Sequence, residues 1–375
     1  SRSSWNPNPL PFFSLLAVLA IYQGVKSGRW WFFVFAGIML GIALQLHYIA
    51  LFLIISIGLY LLLIRLHLAQ GVTLAKDYAT TFIGFLIGFA PFLAFEATHS
   101  FPNTKTVANF ALGGTGETGF TGGKFLDIVS NVFFRLFGRL VTRFPPPEQV
   151  SIGIHFDIAI WYWLTLFLAI SSVVILFFQI KKRGSLLLAT WLSVGIILFG
   201  FYKKPIYDYY FGFMYPLPFL LVGNFLSVLA SARQKVGWVV ALVLFFGLFL
   251  FNLDGLPFKT PPNRQYQQVK AISQFVLEKT GGESFNFALI TGGNSDHAYR
   301  YFFELAGNPP ITIKPTQADP KRETVTEQLL VICEDPRCQP LGHPLWEVAG
   351  FGRAEIAGEW QVSVVKVYKL THYKK

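Results

Sequence analysis

Residues 30–66 read WWFFVFAGIMLGIALQLHYIALFLIISIGLYLLLIRL. Two apolar runs, Trp30–Gln45 and Ile49–Leu66, are separated by the short Leu46–Tyr48 turn, and the stretch contains no Asp or Glu. A bilayer-crossing helix needs about 20 mostly apolar residues, within a range of roughly 17–25. Hydrocarbon offers backbone amides no partner, so such runs cross as helices. The stretch is predicted to be a helical hairpin in a membrane.

The same pattern continues on either side. Leu10–Val25, Tyr78–Ala97, Ile158–Ile180, Ser185–Tyr202, Tyr209–Leu229 and Val236–Leu253 are further apolar runs, so about eight transmembrane helices are expected. Of the 375 residues, 53% are hydrophobic and 14% charged, against roughly 25% charged in an ordinary soluble domain. Mean hydropathy is +0.49. Apolar residues crowd before about residue 253 and thin out after it. The predicted organisation is a helical polytopic membrane region over 1–253 and a small α/β domain over 254–375.

Net charge is +11. Basic residues sit at the ends of apolar runs, a pattern that follows from membrane topology and anionic headgroups, so no nucleic-acid partner is expected. One set of connections carries Lys26 and Arg29, Arg65 and Lys76, Lys181–Arg183, and Arg233 with Lys235. Positive charge favours the cytoplasmic side. The alternate connections, the long segment 98–156 and the C-terminal domain are then outside, in a multi-pass protein of the cell membrane. Lys203 and Lys204 oppose this orientation but are outnumbered.

Within 98–156, Gly113–Gly123 is glycine-rich, and residues 124–143 are predicted as an interfacial helix. Phe125, Val129, Val132, Phe133, Leu136 and Leu140 form its apolar face, and Arg135, Arg139 and Arg143 recur every four residues on another stripe. These arginines, with Lys203 and Lys204, are candidates for meeting a lipid-linked phosphate. Gly114–Gly119 matches a dinucleotide fingerprint but lacks the strand–turn–helix setting that motif requires. Gly37 with Gly41, and Gly84 with Gly88, have the spacing that lets membrane helices approach closely.

The C-terminal region is predicted to hold helices over Gln265–Lys279 and Ser295–Leu305, and strands over Phe285–Ile290, Leu329–Cys333 and Val362–Leu370. Cys333 and Cys338 are the only cysteines. In an oxidising outer compartment they are a disulfide candidate, and two thiols make an incomplete zinc set.

Polar residues gather at the predicted outer ends of the helices: Arg2, Trp5 and Asn6; Gln45, His47 and Tyr48; Glu96 and His99; and Tyr207, Asp208 and Tyr209. Each group alone has an ordinary explanation as interfacial aromatics or solvated helix ends. Their common side points to an outward-facing cavity that contacts substrate.

The segments carrying these residues, SRSSWNPNPLPFF from Ser1, GIALQLHYIAL from Gly41, PFLAFEATHSFPN from Pro91 and IYDYYFGFMYPLPFLL from Ile206, resemble prokaryotic members of the protein mannosyltransferase/aminoarabinose transferase superfamily. These are integral-membrane glycosyltransferases of the C fold class, and the resemblance reaches to about Leu253. It implies transfer of a sugar from a polyprenyl-phosphate donor to a protein, lipid or envelope-glycan acceptor, with membrane lipids as further partners. It also implies an acidic general base in a loop between the first two helices. No segment here matches that loop, so the catalytic residue is expected upstream of Ser1, the chain is expected to be N-terminally truncated, and the fragment to be inactive. No organic cofactor is expected, and no ligand set supports a divalent cation. The competing expectations are a transporter or flippase of lipid-linked substrates, which calls for inverted repeats, and a sensor with an outer binding domain.

Overall fold

The computed structural model describes residues 6–68, 70–112, 124–146, 157–202, 205–232, 234–253, 255–259, 261–335 and 337–373. They form two compact units, Ser1–Thr260 and Pro261–Lys375.

The first unit is helical: α1 (Leu10–Ser27), α2 (Trp30–Leu46), α3 (Ala50–His67), α4 (Gly71–Thr98), α5 (Pro102–Leu112), α6 (Phe125–Leu140), α7 (Ile158–Phe178), α8 (Arg183–Phe199), α9 (Pro216–Ala232) and α10 (Gln234–Leu253). Helix ends follow local chemistry. Gly28 stops α1 in a left-handed conformation, its N–H bonding Gly24 O at 2.8 Å. Asp157 starts α7 by accepting from the amides of Ala159 and Ile160 at 2.8 and 2.9 Å.

Among the described residues, five helices, α1, α3, α4, α7 and α10, are long and apolar enough to cross a membrane, against about eight expected. The predicted span Tyr209–Leu229 is broken: a 3-10 turn over Asp208–Met214 meets α9 at 59°, and the two together pass as a sixth span. Pro216 opens α9 and has no N–H to donate back to the turn, so the hydrogen-bond ladder is interrupted there. α2 and α8 are apolar but only 17 residues each. The long connection also holds α5.

α2 and α4 run parallel, because Gly37 faces Gly84 and Gly41 faces Gly88. A Cβ added at any of these four glycines would fall under 3.0 Å from backbone atoms of the facing helix. Such approach lets the backbones pack directly. It also lets Gln45 Nε2 donate to Gly88 O across the seam at 2.7 Å. At the far end of α4, a buried Arg65–Asp77 pair at 2.8 Å and the Tyr78 hydroxyl donating to Gly58 O at 2.7 Å tie α4 to α3. An apolar cavity of about 600 Å³ opens beside this junction, lined by α2, α3 and α4.

The second unit contains α11 (Gln265–Thr280), β1 (Asn286–Ile290), α12 (His297–Leu305), β2 (Gln328–Cys333), α13 (Trp346–Phe351), β3 (Ala354–Val362) and β4 (Val365–His372). The sheet order is β1-β2-β4-β3, with β1 and β2 parallel and the other pairs antiparallel. Side chains alternate across the sheet. Phe287, Leu330 and Val367 pack with α11 and α12, while Ala288, Leu329 and Leu370 pack with α13. The predicted strand Val362–Leu370 spans a hairpin: Val362 ends β3, and the chain turns at Ser363 and Val364 before β4. The Cys333 and Cys338 sulfurs are joined as a disulfide.

Two predictions follow from packing and charge. Gly84→Val forces a branched side chain into the α4 backbone seam. Overpacking of this kind costs about 1–3 kcal/mol, read as a lower unfolding temperature in detergent, whereas Gly58→Ala, with open space around its Cα, leaves it unchanged. In the second unit, hydrogen bonds from Thr324 hold Asp319 below its usual range, and bonds from Lys366 and Tyr368 do the same for Glu359. At Glu334, burial pushes the carboxyl up, but bonds from Thr291, Asn294 and Tyr299 outweigh it and the net direction is down. Carboxylates depressed in the folded state contribute stability above their unfolded pKa, and lose it as pH falls through the folded value. Hydrogen-exchange protection of β1 and β2, corrected for intrinsic exchange, is therefore expected to fall as pH drops below about 4.5. Glu334→Gln makes that decline shallower.

Candidate functional site

α6 is amphipathic. Val132 and Leu136 of the expected apolar face are buried, together with Phe137, and Arg135 and Arg139 stand on another stripe. The helix lies against the ends of α7 and α8. Phe125 contacts Phe201 just beyond α8, with ring centroids 5.3 Å apart. Past its other end, the Thr142 and Thr165 hydroxyls are 2.7 Å apart and Trp161 Nε1 donates to Thr142 O.

The two arginines converge on Asp208, the first residue of the 3-10 turn. Arg135 donates to Asp208 Oδ1 from Nε at 2.8 Å and from Nη2, which also reaches Ile206 O at 2.8 Å. Arg139 Nε donates to Asp208 Oδ2 at 3.2 Å, and its Nη1 donates to Phe144 O. The Arg135 guanidinium also lies over the Phe211 ring at 5.0 Å. Tyr215 OH donates to Asp208 O at 3.0 Å, which fixes the turn from below. Two guanidiniums share the one carboxylate. The arginine side chains are 19% and 18% exposed, so their field is weakly screened compared with a surface pair.

A cavity of about 590 Å³ opens beside this cluster, walled by Phe134, Phe144, Tyr207 and Asn131 as well as the charged groups. On the other side of the 3-10 turn, the His47 ring meets Tyr209 and Tyr210 at 5.8 and 5.2 Å, and Tyr207 stacks on Tyr209 at 5.7 Å. His47 Nδ1 accepts from Ile49 N at 3.2 Å, which sets the ring's orientation. Asp208 thus joins a cationic cavity to an aromatic cluster.

The other predicted residues have varied settings. Arg143 has left the helix with φ at 51° and donates to Phe251 O near the end of α10. It serves that carbonyl and is no part of the arginine stripe. Glu96 is buried and accepts from the Asn103 amide and side chain at 3.1 and 2.8 Å and from the Thr104 amide at 2.8 Å, capping α5. His99 stacks on Phe95 and bonds Phe95 O. Gln45 is taken up by the helix seam. Tyr48 and Asn6 are exposed. Arg2, Trp5, Lys203, Lys204 and Gly113–Gly123 lie outside the described residues. Sequence reasoning missed Asn131, Phe134 and Phe144 as cavity walls. The spacing of Asn131, Phe134 and Arg135 along one side of α6 is the signal that marks the first two.

Among the described residues, no three His, Cys, Asp or Glu side chains converge to hold a metal. No family model, curated protein or solved structure matches the chain.

Removing the shared carboxylate tests the geometry. Asp208→Asn removes the charge that both guanidiniums share and releases α6 from the turn. The expected cost is about 1–3 kcal/mol, below that of a fully buried pair because the carboxylate is partly exposed. Faster hydrogen exchange confined to α6 and the 3-10 turn is the readout.

Proposed function

We propose that this protein is a glycosyltransferase of the outer face of the cell membrane, moving a sugar from a polyprenyl-phosphate donor to an acceptor. The observation that carries this reading is the pairing of Arg135 and Arg139 on Asp208 beside an aromatic-walled cavity. The helices capable of crossing a membrane agree with a lipid-borne substrate.

In this reaction an acceptor hydroxyl or amide attacks the anomeric carbon while the bond from that carbon to the phosphate oxygen breaks. The acceptor's proton goes to a base, and the polyprenyl phosphate departs with the bonding pair. Negative charge grows on the phosphate as it leaves. Guanidiniums already held in place stabilise that charge without reorganising, which is where such sites do most of their catalysis. Asp208 is a positioning residue: it orients both arginines at the wall of the cavity. The rings of Tyr207 and Tyr209 offer flat apolar faces to the C–H side of a sugar. No described residue is assigned as the base.

The test uses the protein from its complete reading frame in nanodiscs, with radiolabelled polyprenyl-phosphate sugars. Label is expected to pass into a lipid, glycan or protein fraction. Arg135→Ala and Arg139→Ala are each expected to lower turnover by about 10²–10³. Absence of transfer from every donor by folded protein, or full activity in both variants, rules this function out.

A further inference from the structure

The second unit has a cavity that the helical site does not use. β1 and β2 are parallel, and their carboxyl ends lie together at Ile290 and Cys333. In open α/β sheets, ligands collect outside the carboxyl ends of the strands. A cavity of about 360 Å³ sits there, lined by Ile290, Asp335, Arg337, Gln339 and His343. A second, of about 390 Å³, shares the wall Leu341–Pro344 and extends to Arg353. Each falls within the lower range of small-ligand sites, about 300–1,000 Å³.

The polar groups on this wall are of mixed kind. Asp335 uses Oδ1 to accept from the Arg337 amide at 2.8 Å, which leaves Oδ2 as an acceptor. The Arg337 guanidinium and the Gln339 side-chain amide have no hydrogen-bond partner among the described residues. His343 Nδ1 accepts from Leu345 N at 3.2 Å, so in the neutral ring Nε2 is the donor. An anion would meet the Asp335 carboxylate, and a cation would meet the Arg337 guanidinium. A chain of hydroxyls, each both donor and acceptor, satisfies all four groups. The wall is also pre-built: Cys338 lines the cavity and is bonded to Cys333, buried at the end of β2.

We infer that this cavity binds neutral oligosaccharide. The sugar's role as acceptor for the transfer rests on the function proposed above; the binding itself does not.

The experiment measures binding of mannotetraose, tetragalacturonate and a chitosan tetramer to the full chain in nanodiscs by calorimetry. Mannotetraose is expected to bind. Asp335→Asn keeps the acceptor for the Arg337 amide but removes the carboxylate charge, and is expected to weaken binding about tenfold, the worth of one hydrogen bond to a charged group. Arg337→Ala and reduction of the disulfide are expected to weaken it as well. Arg135→Ala is expected to leave it unchanged, so failure of transfer and failure of this site are separable. No binding of mannotetraose, binding of the charged sugars alone, or variants that bind as the wild type does would each overturn the inference.

Discussion

A polar group surrounded by hydrocarbon has to find its partner inside the protein, and this constraint shapes the first unit more than any single contact. Several polar side chains near helix ends are taken up by neighbouring elements. Gln45 bonds a carbonyl of α4, Arg65 pairs with Asp77, Glu96 caps α5, and Arg143 serves a carbonyl of α10. These bonds link elements that apolar packing alone would leave free to slide. The Arg135–Asp208–Arg139 cluster obeys the same rule but differs in its setting. A cavity lies beside it, and all three charged side chains line its wall.

That difference separates a structural polar group from a candidate binding group. Glu96 and Asp208 both stand near helix ends in runs of similar composition. Both Glu96 oxygens accept from the start of α5, inside a buried corner. Asp208 holds two cations, and all three side chains line a cavity. Burial and bonding therefore demote one acid and single out the other.

Apolar runs made the membrane helices legible, because their period and length are properties of composition. α6 was legible from its stripe of arginines, and the alternating valines marked β4, though not the turn that precedes it. The sequence did not show that α8 ends at Phe199, since Gly200 and Phe201, which continue the run, belong to a turn. It did not show the break at Tyr215, where the proline's missing N–H overrides an unbroken apolar pattern. Nor did it show that Arg135 and Asp208, 73 positions apart, share a hydrogen bond. Convergence of that kind depends on how α6 lies across the ends of α7 and α8, and no local pattern records it.

The glycine seam has a mechanical consequence. Where helices meet through side chains, rotamer changes let them shift by small steps. α2 and α4 meet backbone to backbone at Gly37, Gly41, Gly84 and Gly88, and no rotamer is available to absorb a shift. The pair therefore moves as one rigid beam. On its flank, the cavity bordered by α3 is lined by side chains such as Leu51, Ile54 and Phe82, which can repack. Adjustment to whatever fills that cavity falls to these side chains, while the seam keeps its spacing.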